Sequence, residues 1–294
     1  MNSISLTSRK IINAWLLIAA VVIFRVFTSL YPMIQAIIYG FMDYQPIAST
    51  KYFNGFQNFM NMFTDSNFRD AIWFTILFTV VSIFFHIILG IGLALVLNIK
   101  FRGRKFLRSI VLIPWAIPSV VAGIAANYAF NDSYGFVNDI IRRFVHGFSL
   151  LWLVDVFGAM FAVIAVDIWK DTPFFAILIL AGLQGIPNEL YEAAKIDGAN
   201  SINLFTRITL PHLRGLIITL TIFFTLWRLV TFDLVYAMTE GGPGASTSLL
   251  SYRIYMEAFR NLNYGYSSSI SVLLFLIIIV VALLGLFFQR KIEV

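Results

Sequence analysis

Asp167, Lys170 and Asp171 stand inside one long apolar run, and Arg228 and Asp233 fall in the next. On membrane-insertion scales each such charge costs roughly 2.5–3.5 kcal/mol, so these groups must face a partner or water. Helical spacing of i,i+3 and i,i+4 gathers the first three on one face. Two kinds of chemistry suit that face. One is an internal ion pair locking this run to its neighbours. The other is a polar wall, or its gate, along a path for a solute. Arg228 and Asp233 are five residues apart, a poor helical contact, so each is expected to meet a different partner. Trp227 and Phe232 flank them, and aromatic faces can serve as platforms for sugar rings. Asn127 and Tyr128, with Trp115 in an earlier run, are further candidates, for which ordinary packing or interface anchoring is the alternative.

Other chemistries lack their residues. The sequence has no cysteine, which removes disulfides, thiolate nucleophiles and cysteine metal sites. His86, His146 and His212 show no ligand spacing, so no metal site is expected. Serines, histidines and acids are scattered rather than convergent, which speaks against a hydrolase. There is no catalytic constellation. No Gly-x-x-x-x-Gly-Lys-Ser/Thr run is present, so ATP phosphates are not expected to bind this chain.

The elements that carry these residues are membrane spans. The 294-residue chain is 60% hydrophobic and 12% charged, with mean hydropathy +0.85; globular domains carry about 25% charge. Six apolar runs are long enough for about 30 Å of hydrocarbon. They lie near residues 11–38, 71–98, 109–130, 158–183, 213–235 and 267–288. The first exceeds a signal-peptide core and is read as a retained span. The expected fold is an all-α membrane protein with six transmembrane helices and no internal repeat. Pro114 and Pro118 should bend the third, and Pro173 frees carbonyls around residue 169.

Positive charge orients the bundle. Arg9, Lys10, Lys100, Arg102, Arg104, Lys105, Arg108, Lys195, Arg207, Arg214, Arg290 and Lys291 occupy one set of connections and the termini. The alternate set holds Lys51, Arg69, Arg142, Arg143, Arg253 and Arg260. The bias puts both termini and the 184–212 loop in the cytoplasm. The net charge of +6 therefore reports topology, and nucleic acid is not an expected partner.

That loop interrupts the apolar runs with a capped helical pair. Asn188 is a plausible N-cap, Glu189 suits the first turn, and Gly198 can end the helix in a left-handed conformation. Ser201 can cap a second helix, Ile202 to Leu210, which Pro211 closes. Ala193 and Ala194 make a small flank for close approach, and Glu192 and Asp197 can meet basic groups. On physics alone, an amphipathic surface helix that merely connects two spans is the favoured reading.

Glu192, Ala193, Ala194, Asp197, Gly198 and Ala199, followed by Phe205, Ile208, Thr209, Leu210 and Pro211, resemble the EAA loop of permease subunits in bacterial ATP-binding-cassette importers. Tyr134-Gly135, Asn138, Trp152-Leu153, Trp169-Lys170, Thr172-Pro173-Phe174, Ala181-Gly-Leu-Gln184, Phe232-Asp233 and Thr239-Glu-Gly-Gly-Pro243 extend the likeness to the sugar-type branch, similar to maltose-system and glycerol-phosphate-system permeases. Arg25 departs from the usual apolar first span. The resemblance implies the type I importer transmembrane domain: residues 1–68 as a first helix and outer loop, and residues 69–290 as the core. It implies ATPase coupling through Glu192, Ala193, Ala194, Asp197, Gly198, Ala199 and Pro211. The substrate-pathway candidates are Asn127, Tyr128, Trp169, Lys170, Asp171, Trp227, Arg228, Phe232 and Asp233. The implied partners are a second permease, an ATPase dimer holding ATP and Mg, an extracytoplasmic solute-binding protein, a carbohydrate and the lipid of a bacterial cell membrane. The cofactors belong to the ATPase, and none is expected on this chain. Import of glycerol-phosphate or a polyol is the alternative. A stand-alone ion-coupled carrier with Asp167, Lys170 and Asp171 as relay is a further one.

Overall fold

A computed structural model describes residues 6–293, with side chains described for residues 14–291 except 16 and 17. The Arg9 and Lys10 side chains of the charge count therefore lie outside the described residues. By packing, the chain falls into two compact units: residues 1–62 with 254–273, and residues 63–253 with 274–294. A cut at residue 68 does not follow that division, because residues 254–273 pack with the N-terminal segment.

In the first unit, α1 (Leu6–Arg25) passes through a π turn, Val26–Leu30, into α2 (Tyr31–Gly40). No residue of Val26–Leu30 is buried, and Val21, Ile23, Phe24 and Phe27 are open, as lipid-facing side chains should be. Outside it comes a departure from the all-helical expectation. Strands β1 (Met42–Gln45) and β2 (Thr50–Phe53) pair antiparallel. Helix α3 (Gln57–Thr64) follows, and Asn58 holds the hairpin's root by donating to the carbonyls of Gly40 and Met42 at 3.0 and 2.8 Å.

In the second unit, α4 (Ser66–Asn98) starts on the Asp65 side chain, which accepts from the Asn67 N–H. Helices α5 (Arg104–Val111) and α6 (Ile113–Ala116) lead to α7 (Ser119–Ala129). The third run is bent by 86° between Arg104–Ala116 and Ser119–Ala129, because Pro118 offers no N–H and forces Ile117 into an extended conformation. The short α8 (Phe136–Arg142) precedes α9 (Val156–Gln184), which runs through Pro173 without a break. Helices α10 (Asn188–Ile196) and α11 (Ser201–Leu204) form the loop. After a π turn, Phe205–Thr209, come α12 (Leu210–Leu229), α13 (Asp233–Met238) and α14 (Leu250–Tyr255). Helix α15 (Tyr264–Glu293) spans both units.

Among the described residues, four helices are long and apolar enough to cross a membrane, and the bent pair makes a fifth; α9, at 29 residues, carries Asp167, Lys170 and Asp171. The fifth run ends earlier than expected. Its helix stops at Leu229, where Val230 leaves helical geometry, and Asp233 begins a separate helix. An acid in the first turn of α13 suits the helix dipole.

The core of this unit joins α4, α9 and α12 through Ile83, Leu97, Phe175, Ile179, Leu213 and Phe224, all nearly solvent-free. Aromatic contacts continue the seam: Trp115 stacks on Phe174 at 4.4 Å, and Phe224 meets Phe174, Phe175 and Trp227. Helices α7 and α13 touch through Gly123, where a Cβ would stand 2.8 Å from the Ala237 Cβ and 3.0 Å from the Leu234 carbonyl oxygen.

Candidate functional site

Two sites take shape in the second unit. The first is a buried charge cluster drawn from three helices. Arg228 of α12 donates Nη1 to Asp167 and Nη2 to Asp171 of α9, the latter at 2.6 Å. Lys170 donates to the other Asp171 oxygen at 3.1 Å. His86 of α4 sets Nδ1 3.0 Å from the Thr172 hydroxyl and Nε2 3.3 Å from Asp167 Oδ2. The latter is proximity rather than a hydrogen bond, since neither atom finds hydrogen-bond geometry. His86, Asp167 and Arg228 are at most 2% exposed. Two cations facing two carboxylates make the arrangement charge-balanced, the condition under which burial is tolerated.

One side of the cluster opens on a cavity of about 130 Å³ lined by Ser119, Asp167, Lys170, Asp171, Trp227, Arg228, Thr231, Phe232 and Asp233, among others. The Arg228 guanidinium lies 5.4 Å from the Trp227 ring centre. The structure thus brings together six of the nine pathway candidates: Lys170, Asp171, Trp227, Arg228, Phe232 and Asp233. It separates the other three. Asn127 donates to the Met238 carbonyl at 2.7 Å, a tie between α7 and α13. Tyr128 is exposed and tilts against Tyr134. Trp169, also exposed, lines a different, apolar cavity of about 350 Å³ with Ala122, Ala126, Phe136 and Val166. These three point away because 100° per residue turns Trp169 off the face of Lys170, and because the α7 end belongs to another contact.

His86 and Ser119 were not among the expected site residues. A signal for His86 was present: Thr79, Ser82 and His86 fall at i, i+3 and i+7 in an otherwise apolar run, one polar stripe. All three are buried.

The second site is the helical pair of the loop. Glu189 is in the first turn of α10 and Lys195 in its last. Asn188 is the first helical residue rather than the cap; Pro187, which cannot donate and has φ fixed near the helical value, occupies that position without a side-chain bond. Gly198 turns left-handed at φ +80° with nothing within 4 Å of a would-be Cβ, so backbone conformation alone calls for glycine there. The amide of Ala199 closes back on the Ala194 carbonyl at 2.9 Å. The next helix is capped by Asn200, not Ser201: its side chain accepts from the Asn203 N–H at 2.8 Å. Pro211 does not end this helix. It sits in the first turn of α12, and the π turn before it carries Ser201–Leu229 through as one 29-residue helix. A wider turn gives the proline ring room against the preceding carbonyls. Glu192, Ala193, Asp197, Gly198 and Pro211 are open to solvent, and Ala194 and Ala199 half-buried. Ile196 and Ile202, 87% and 72% exposed, stand beside them.

Residues 86–294 match the family described as "Binding-protein-dependent transport system inner membrane component". The chain belongs to that family. Both sites lie within the matched region. Among relatives of this transport component is the sulfoquinovosyl glycerol transport system permease protein SmoG of Agrobacterium fabrum, 41% identical over 76% of this chain and 72% of that one. The trehalose/maltose transport system permease protein MalF of Thermococcus litoralis is 42% identical over 76% and 75%. The multiple sugar-binding transport system permease protein MsmF of Streptococcus mutans is 33% identical over 98% and 100%. Among solved structures, a chain of a bacterial ABC transporter involved in import of the acidic polysaccharide alginate superposes with TM-score 0.84, 25% identity and coverage of 96% and 98%. The fold of this membrane component is that of an ABC importer transmembrane domain.

Proposed function

We propose that this chain is one membrane-spanning half of an ATP-driven importer that moves a carbohydrate into the cytoplasm by alternating access. The observation that carries the reading is the α10–α11 pair: a stiff, exposed knob, closed by the left-handed Gly198 and set between long apolar helices. In this reading Glu192, Ala193, Ala194, Asp197, Gly198, Ala199 and Pro211 form the docking face for a separate ATPase, which binds ATP and Mg. A second permease completes the pore, an extracytoplasmic protein delivers the solute, and residues 69–290 with both chain ends toward the cytoplasm form the transport core. The chain itself performs no catalysis.

The charge-lined cavity is the proposed pathway element. Trp227 and Phe232 offer aromatic faces, and Thr231, Ser119 and Asp233 offer polar groups. Arg228 and Lys170 are already engaged by Asp167 and Asp171, while Asp233 has no side-chain partner among the described residues. That balance favours an uncharged, hydroxylated solute over a phosphate ester. The relatives named for sugars and glycosides point the same way.

Gly198→Val tests the coupling. A β-branched side chain in a left-handed conformation is strained, so the knob should lose its shape while the spans stay intact. The variant should still insert and assemble with the ATPase-bearing complex, yet take up less than a tenth of the labelled sugar. Uptake at the parent rate would remove the loop from the coupling path.

A further inference from the structure

The knob is tied to the root of a transmembrane helix by two hydroxyls far apart in the loop. Tyr191 of α10 places its hydroxyl 3.0 Å from Thr209 Oγ1. Thr209 is buried, at 4% exposure, and its hydroxyl passes on to the Leu204 carbonyl at 3.3 Å. The chain of bonds is directional: Tyr191 donates to Thr209, which donates to Leu204. The Tyr191 ring also packs against the α4–α9–α12 core. Thr209 belongs to the π turn inside the continuous Ser201–Leu229 helix. That helix is about 43 Å long at 1.5 Å per residue. Its far end holds Arg228, bonded to both carboxylates of α9 beside the cavity. A displacement of α10 passed to Thr209 therefore reaches the charge cluster through one rigid rod.

We propose that the Tyr191–Thr209 hydroxyl pair is a positioning strut that makes α10 and α12 move as a single body, so that a push on the knob shifts Arg228 relative to α9. Without the strut, α10 is joined to α12 by the Gly198 corner and by packing of the Tyr191 ring on the core. The strut rests on the coupling role proposed above for the loop. Tyr191 and Thr209 are positioning residues: neither needs to touch solute or nucleotide.

The cysteine-free sequence allows a direct test. Spin labels at Lys195→Cys on α10 and Thr219→Cys on α12, both exposed positions, report the α10–α12 distance in the assembled transporter, with and without nucleotide trapped by vanadate. The parent should give one narrow distribution, unchanged between the two states. A lost buried hydrogen bond is worth a factor of about five in population. Tyr191→Phe and Thr209→Val should each raise the detached population about five-fold and broaden the distribution. The double variant should be no worse than either single, and Thr209→Ser, which keeps the hydroxyl, should restore the narrow peak. Unchanged distributions in Tyr191→Phe and Thr209→Val would overturn the strut. So would a Thr209→Ser sample as broad as Thr209→Val, which would assign the effect to packing. Measuring ATPase bound to the same preparations separates the two ideas. Bound ATPase with insensitive distances refutes the strut alone, whereas absent ATPase refutes the coupling role whatever the distances show.

Discussion

The charge cluster and the α10–α11 knob hold their shapes by opposite means. In the cluster, His86, Asp167, Asp171 and Arg228 come from three helices, with Asp167 and Arg228 61 residues apart, and all lie out of solvent. In the knob, nearly every determinant acts within a turn of itself: Glu189 in the first turn, Gly198 at the corner, Asn200 on the Asn203 amide. Burial makes the first arrangement costly to damage, because a stranded partner cannot turn to water. Exposure makes the second cheap to damage in stability. A single chain can thus keep a rigid centre in lipid and an exposed surface that tolerates change.

The largest effect expected follows from that contrast. Arg228→Met leaves Asp167 and Asp171 facing each other with only Lys170 to balance them, a loss of about 3–5 kcal/mol for a broken buried pair. Thermal unfolding of the detergent-solubilised protein should show a large drop in midpoint. Adding Asp167→Asn should recover most of it, since Lys170 still neutralises Asp171 at 3.1 Å. If the double variant is no more stable than the single, the cluster is not held by charge balance, and the comparison with the knob fails.

A middle-sized effect concerns packing rather than charge. Gly123→Val inserts a side chain where even a Cβ would lie 3.0 Å from the Leu234 carbonyl oxygen, a backbone atom that cannot swing aside. Overpacking of this sort costs about 1–3 kcal/mol. Because α13 carries Asp233 at the cavity, the variant should also weaken sugar-stimulated uptake more than its stability loss accounts for. A parent-like unfolding midpoint would show that α7 and α13 have slack between them.

What could be read from the sequence divides along the same line. The knob was legible because caps, corner glycine and acid-first turn are local: α10, the left-handed Gly198 and the bend at Pro118 all stand where composition placed them. Its errors were of one residue or one ring size. Asn200 outcompetes Ser201 as cap, and the π turn that admits Pro211 has no pattern in a run of apolar residues. The cluster was half legible. Buried charges in an apolar run announce that partners exist but not which ones. The pairing of Arg228 with both α9 carboxylates, and the arrival of His86 beside Asp167, depend on how three helices rotate against each other. Asn127, Tyr128 and Trp169 show the same limit from the other side, being polar or aromatic yet turned to other surroundings.

The smallest expected effect probes the knob's locality. Asn200→Ala removes the side-chain acceptor from the Asn203 N–H, a cap worth about 1 kcal/mol. Since Asn200 is exposed and its bond spans three residues, the loss should stay within the turn that opens α11. Hydrogen exchange at the Asn203 amide should quicken about five-fold, the equivalent of that energy, while amides near Arg228 keep their protection. The global unfolding midpoint should hardly move. A fall in midpoint approaching that of Arg228→Met would mean that the loop's cap is felt in the buried bundle, so that the two regions are one cooperative unit rather than a rigid centre with an adjustable handle.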